Sequence, residues 1–131
     1  MVFEETVVLS LPFDDVLSAV KAALAEQGFG ALTEIDLQAT LRAKVGKDME
    51  RYVIVGACNP KLASRALDVE RQIGVLLPCN VVVREVRAGV AVEAMDPGLM
   101  ATVAGTDAVG PFAEESRRLI AAALQRLVES S

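Results

Sequence analysis

Two cysteine-asparagine steps, Cys58-Asn59 and Cys79-Asn80, are the residues of this sequence best suited to chemistry. A cysteine thiolate can act as a nucleophile, as a redox group or as a ligand for a soft metal ion. Asn59-Pro60 predicts a helix start, with asparagine as the N-cap and proline at the first helical position. Cys58 therefore precedes a helix N-terminus, where backbone N–H groups and the helix dipole are expected to lower the pKa of its thiol.

The alternative interpretation is that both cysteines are core residues, since free cysteine is among the most buried residue types. Cys58 follows an apolar strand, and Cys79 lies beside Pro78 at a predicted irregularity in a strand. If the two sulfur atoms meet, a disulfide or a soft-metal site with few ligands becomes feasible. Whether they meet depends on the topology of the sheet, which the spacing of the cysteines does not decide.

Histidine is absent from the chain. This excludes Ser-His-Asp and Cys-His catalysis, histidine general bases and nearly every familiar zinc site. A metal ion would have to be held by thiolates and carboxylates alone, and Cys58 and Cys79 are the candidate ligands. No catalytic residue can be assigned, and whether the protein is an enzyme stays open.

Two carboxylates and two asparagines complete the candidate ligand-binding set. Glu34 and Asp36 alternate on a predicted strand, so they project from one face and resemble a pair for acid-base work. They are also explained as a solvated strand face, with Asp36 capping the next helix. Asn59 is explained as the N-cap described above, and Asn80 as a residue that pairs with exposed backbone.

The composition favours an aliphatic globular domain without a nucleic-acid or membrane partner. Hydrophobic residues make up 53% of the 131 residues, aromatic residues only 4%, and the formal net charge is −5. Scattered basic residues in an acidic chain do not favour binding to nucleic acid. There is no basic signal-peptide region and no apolar run of about 18 residues, so we expect a protein of the cytoplasm with reduced thiols.

The elements that would position these residues follow from apolar periodicity and from capping signals. Strands are predicted at Phe3–Leu9, Gly30–Asp36, Tyr52–Val55, Val75–Leu77, Val81–Val83 and Val90–Met95, the fourth and fifth being one interrupted strand or two short pieces. Helices are predicted after a Ser10 N-cap, at 37–45, from Pro60 to before Gly74, after Asp96-Pro97 and from Pro111 to the C-terminus. The last helix has an apolar stripe that fits docking on the sheet or a dimer contact.

The element order is therefore β-α-β-α-β-α-β-β-α-α. It predicts a single α/β (α+β) domain over residues 1–131, with two layers and a mixed sheet of about five strands on which the helices pack. The hairpin between the last two strands requires at least one antiparallel pair.

Three separated segments resemble the domain-of-unknown-function family 302 (DUF302). They are Gly28–Lys44, Ile54–Pro60 and Ile73–Val83, and Asp96-Pro97 followed by Met100 also fits. The resemblance implies a compact α/β domain of bacteria and archaea that often self-associates. It implies no activity, and it marks both cysteine-asparagine steps, Glu34 and Asp36 as family signatures.

Three functions remain open at this level. The first is a small homodimeric protein that binds a small ligand or a soft metal ion near Cys58 and Cys79, with Asn59, Asn80, Glu34 and Asp36 as further candidates. The second is a thiol-based redox protein or enzyme that uses Cys58. The third is a structural or protein-interaction module with core cysteines.

Overall fold

A computed structural model describes residues 6–130 of the chain. The strands are β1 (Val7–Leu9), β2 (Gly30–Asp36), β3 (Tyr52–Cys58), β4 (Cys79–Val86) and β5 (Gly89–Ala94). The α-helices are α1 (Phe13–Glu26), α2 (Leu37–Val45), α3 (Pro60–Val69), α4 (Gly98–Val103) and α5 (Gly110–Ser130). Short 3₁₀ helices cover Arg71–Leu76 and Asp107–Val109. The predicted start of the first strand, residues 3–5, lies outside the described residues.

The five strands form one sheet in the order β1-β5-β4-β3-β2. The α+β class, the five strands and the packing of helices on the sheet are confirmed. The sheet differs from the expected mixed arrangement because all four neighbouring pairs are antiparallel. The helices α2 and α3 each return the chain at the end of the sheet where it left, whereas α1 crosses the sheet from β1 at one edge to β2 at the other.

The core lies between one face of the sheet and the helices α1 and α5. Strand residues alternate between the two faces, so Val53 and Val55 of β3 are buried beside Val83 and Val81 of β4. The helices contribute Val20 and other residues at helical spacing to the same hydrophobic cluster. The opposite face of the sheet is only partly covered, as is usual in an antiparallel sheet.

The segment from Gly30 to Gly46 folds as its sequence predicts. The Asp36 side chain accepts a hydrogen bond from the Ala39 N–H at 2.9 Å and caps α2. Gly46 ends the helix in the left-handed conformation with φ of 66°, which glycine adopts without steric cost. The predicted Ser10 N-cap of α1 is wrong, because that helix begins at Phe13 after Pro12 and has no side-chain cap.

The segment between α3 and β4 also departs from the prediction. Val75–Leu77 is not a strand: a 3₁₀ helix runs through Gly74 to Leu76, and Val75 is 86% exposed. Pro78 does not interrupt a strand either. It directly precedes β4, after a cis Leu77-Pro78 peptide bond, and β4 is a central strand that runs unbroken from Cys79.

The C-terminal helix α5 uses its apolar stripe inside the molecule. Phe112, Ile120, Leu124 and Leu127 are buried in the cluster shared with the sheet. Val128, which the periodicity assigns to the stripe, is 50% exposed. Most of the stripe is therefore covered by the protein's own sheet and helices, as expected for docking on the sheet.

Candidate functional site

The β3–β4 ladder brings the two cysteines to the same end of the sheet. Cys58 is the last residue of β3, and Cys79 is the first residue of β4 and lies opposite Ala57. The strand spacing and the rise per residue place the Cα atoms of Cys58 and Cys79 about 6 Å apart. Antiparallel pairing is the reason, because it sets the end of one strand beside the start of the next.

Both cysteines line one small cavity beneath α3 and α5. Its other walls come from the end of β3, the segment after α1, the residue before Pro78 and the two helices: Phe29, Ala57, Asn59, Leu62, Ala63, Leu77, Phe112 and Ser116. The volume open to the centre of a water molecule is about 10 Å³. That is room for about one water molecule or one ion and not for an organic ligand.

The cavity raises the pKa of both thiols. Burial raises the pKa of the Cys58 thiol, which contradicts the lowering expected at a helix N-terminus. Burial, and then the charge of Cys58, raise the pKa of Cys79 to about 11. Removal from water is the cause of the shift at Cys58 and the larger of the two causes at Cys79. The two thiols are also close enough to interact electrostatically, and no disulfide joins them.

Asn59 holds three elements together next to Cys58. Its side-chain oxygen accepts a hydrogen bond from the Leu62 N–H at 3.3 Å, which confirms its role as the N-cap of α3. Its side-chain nitrogen donates to the Gln27 carbonyl at 3.2 Å, at the C-terminal end of α1. Gly28 has φ of 84°, and a Cβ there would lie 3.0 Å from the Asn59 amide nitrogen. The absence of a side chain at Gly28 thus leaves room for the Asn59 side chain to reach the Gln27 carbonyl.

Gly56 fixes the approach of Pro78 to the sheet. A Cβ on Gly56 would clash with the Thr33 hydroxyl and would lie 2.8 Å from Cγ of Pro78. Real Cβ atoms do not approach other atoms this closely, so the ring of Pro78 can pack on β3 only because residue 56 has no side chain. This contact sets the start of β4, and with it the position of Cys79.

The remaining candidate residues lie away from the cavity. Asn80 is exposed and pairs across the ladder with Gly56. Glu34 lies opposite Val55 and forms an ion pair with Lys21, and Asp36 lies opposite Val53 and caps α2. At about 3.4 Å per residue, these carboxylates are roughly 10 Å or more from Cys58 along the sheet. Within residues 6–130, no group of three or more His, Cys, Asp or Glu residues could hold a metal ion.

The structure adds Ser116 to the site, which the sequence analysis did not identify. It is 1% exposed and is the only buried polar or charged side chain in the part of the chain for which burial is described. It lines the cavity one helical turn after Phe112. A serine at a core-facing position of an apolar helix stripe is the signal that could have revealed it.

None of the helices in the described part of the chain is long and apolar enough to cross a membrane.

Comparison with known proteins identifies a family but no activity. The family model described as "Domain of unknown function DUF302" matches residues 5–127. A solved structure, that of an uncharacterized conserved DUF302 protein from Bacillus stearothermophilus, superimposes with a TM-score of 0.85 at 27% sequence identity. The superposition covers 92% of this chain and 94% of the other. No protein with a curated description matches the chain. The chain therefore belongs to the DUF302 family.

Proposed function

We propose that this protein binds one soft monovalent metal ion, of the Cu(I) class, between the thiolates of Cys58 and Cys79. The observation that carries the proposal is that both cysteines line the same cavity, whose free volume of about 10 Å³ suits a single ion. The cavity is too small for an organic ligand, so the soft metal ion is the better supported of the two ligands considered from the sequence.

The donor set favours Cu(I) over zinc. Thiolates are soft ligands that select Cu(I), whereas structural zinc sites use four ligands. Two cysteines without a histidine or a nearby carboxylate provide only two donors, which suits a low-coordinate soft ion. In the binding reaction, two thiols release two protons, and two S–Cu bonds form to give a complex with one negative charge. No electron is transferred.

The raised pKa values of the thiols define how binding should respond to pH. Since each thiolate must lose a proton that burial helps it to keep, the metal ion competes with protons at neutral pH. The affinity should therefore increase as pH rises towards the pKa of Cys79. The same raised pKa values argue against the alternative function in which Cys58 is a reactive nucleophile, because the thiolate is the nucleophilic form.

Asn59 has a positioning role in this proposal. It fixes the start of α3 and the end of α1 on either side of Cys58. Asn80, Glu34 and Asp36 have no role in it, because they lie outside the cavity. The proposal also places the protein in the cytoplasm, where reducing conditions keep two thiols free for metal binding.

A competition titration tests the proposal. The reduced protein is titrated with Cu(I) in the presence of a chromophoric Cu(I) chelator, without oxygen. We expect one Cu(I) per chain, and a loss of at least about tenfold in affinity for Cys58→Ser and for Cys79→Ala, because each removes one of two ligands. Asn80→Ala is the matched control, because Asn80 follows Cys79 but lies outside the cavity, and it should bind like the wild type.

The titration can also contradict the proposal. Failure of the wild type to compete with the chelator would mean that the thiols are structural, as in a protein-interaction module. Equal binding by the wild type and Cys58→Ser would place the metal ion elsewhere on the chain.

A further inference from the structure

Ser116 places a hydroxyl group in the core beside both thiols. It is 1% exposed and lines the cavity together with Cys58 and Cys79. Burying a hydroxyl group costs free energy unless the group is hydrogen-bonded. Alanine avoids this cost, and Ala113 and Ala123 occupy other buried positions of α5. The packing of α5 on the sheet therefore does not by itself account for a serine at position 116.

The Ser116 hydroxyl group is a donor that the described residues do not use. A serine or threonine inside a helix can donate to the carbonyl four residues earlier, as Thr40 does to Asp36 at 2.8 Å. Ser116 forms no such bond, and no other side-chain hydrogen bond, with residues 6–130. Since no fully enclosed side-chain oxygen or nitrogen in these residues lacks a partner, the Ser116 oxygen retains access to open space, which the cavity provides.

The proposed copper complex brings a negative charge into this cavity. The described residues that line it include no Asp, Glu, Lys or Arg. An ion between the sulfur atoms takes up the room of about one water molecule, so no water molecule fits beside it within the cavity. A buried charge is costly unless it is paired or hydrogen-bonded. The charge of the complex therefore requires a hydrogen-bond donor from the protein.

The other polar groups near the cavity are already engaged or lie outside it. Asn59 uses its side-chain nitrogen and oxygen to join α1 to α3. Lys61 and Arg65 line a neighbouring groove and not the cavity, and Arg65 forms an ion pair there with Glu115 at 2.7 Å. Within the described lining, Ser116 is therefore the side chain whose donor is available to the thiolates.

We propose that the Ser116 hydroxyl group donates a hydrogen bond to a copper-bound thiolate and so stabilises the negative charge of the complex. This inference rests on the proposed function, because it concerns the metal-bound form. The hydroxyl oxygen is not a ligand in this arrangement, since Cu(I) selects the softer sulfur donors. Hydrogen bonds to the ligands of a metal ion orient those ligands and tune the metal affinity. Ser116 therefore acts on the metal ion through the cysteines.

Ser116→Ala tests the inference, because it removes the hydroxyl group and leaves a residue that favours the helix. In the competition titration with Cu(I) and the chelator, the variant should still bind one Cu(I) per chain, with an affinity lower by about tenfold. Ser64→Ala is the matched control. It makes the same change at an exposed serine of α3, in the neighbouring groove and outside the cavity, and should bind like the wild type.

Two further measurements on Ser116→Ala distinguish a hydrogen bond from a structural role. The sulfur-to-copper charge-transfer absorption of the loaded variant should move to longer wavelength, because losing the hydrogen bond raises the energy of the sulfur lone pairs. In Ser64→Ala this absorption should not move. Urea unfolding of the metal-free Ser116→Ala protein should show no loss of stability, since the hydroxyl group has no partner among the described residues in that form.

The possible results separate this inference from the metal site itself. A wild type that does not bind Cu(I) would overturn the metal site and this inference with it. If the wild type binds, an equal affinity or an unshifted absorption in Ser116→Ala would overturn only the hydrogen bond. A less stable metal-free Ser116→Ala protein with unchanged copper affinity would make Ser116 a structural residue, which also overturns the inference.

Discussion

The two cysteine-asparagine steps have the same sequence and opposite structural roles. In Cys58-Asn59, at the end of β3, the asparagine is the structural residue: it caps α3 and ties it to α1, and the cysteine is only partly buried. In Cys79-Asn80, at the start of β4, the cysteine is 3% exposed and the asparagine is exposed. The position of each residue in the pleat and at the strand end, and not the dipeptide itself, decides which of the two is buried.

The difference shows how two unlike positions produce one site. One thiol comes from a strand end that leads into a helix, and the other from the first residue of a central strand. Both line one cavity because β3 and β4 are antiparallel neighbours and because Pro78 packs on Gly56. Substitutions in and around Cys58-Asn59 and Cys79-Asn80 therefore test whether Asn59 is the structural residue of the first pair and Cys79 the buried residue of the second.

The largest expected effect comes from Gly56. Pro78, which directly precedes Cys79-Asn80, packs against this glycine. Gly56→Ala should lower the free energy of unfolding by about 2–3 kcal/mol, because the added methyl group overlaps Thr33 and Pro78 in a packed region. Urea denaturation measures this change. Gly30→Ala is the matched control, because a Cβ there meets no atom within 4 Å. An equally small loss of unfolding free energy in both variants would show that the packing of Pro78 on β3 does not require a glycine at position 56.

The pH dependence of stability should single out Cys79. Its pKa is about 11 in the folded chain and about 8.5 in an unfolded chain. The unfolded state loses this proton first, so the stability is complete below about pH 8.5 and falls as pH rises towards 11. The expected loss is about 3 kcal/mol.

Urea unfolding between pH 8 and pH 11 isolates this contribution when the wild type is compared with Cys79→Ala. The wild type should lose stability more steeply with rising pH than the variant, which lacks the titrating group. Parallel curves for the two proteins would contradict the burial of the Cys79 thiol.

A smaller effect should distinguish the two asparagines. Asn59→Ala should lower the free energy of unfolding by about 1–2 kcal/mol, because it removes a helix cap and the tether to α1. Asn80→Ala should change it by less than about 0.5 kcal/mol, as expected for an exposed side chain. Thermal or urea unfolding of the two variants side by side measures the difference. Equal losses would mean that the two steps are structurally equivalent.

Local signals in the sequence predicted part of this structure. The extent of β2 and the ends of α2 followed from Asp36 and Gly46, and the start of α3 from Asn59-Pro60, because capping and turn residues act over a few positions. Val75–Leu77 misled the prediction, since its aliphatic run is typical of a strand. The segment instead turns as a 3₁₀ helix that brings the chain back to the end of β3.

The sequence predicted the cysteines of the site but not its geometry or its remaining residues. The two cysteines were identified, but their place in one cavity depends on antiparallel pairing, and the helices between strands suggested a mixed sheet. The pKa of Cys58 was predicted in the wrong direction because the nearby helix N-terminus is visible in the sequence and the burial is not. Ser116 was missed because its role follows from the packing of α5 over the strand ends.

X-ray absorption spectroscopy of the Cu(I)-loaded protein at the copper edge is the most direct test of the two-thiol site. With one copper ion per chain, we expect two sulfur neighbours at equal distance and no nitrogen or oxygen neighbour, and one sulfur neighbour fewer in Cys58→Ser. A wild-type spectrum with only one sulfur neighbour, or with nitrogen or oxygen ligands alone, would contradict a metal site shared by Cys58 and Cys79.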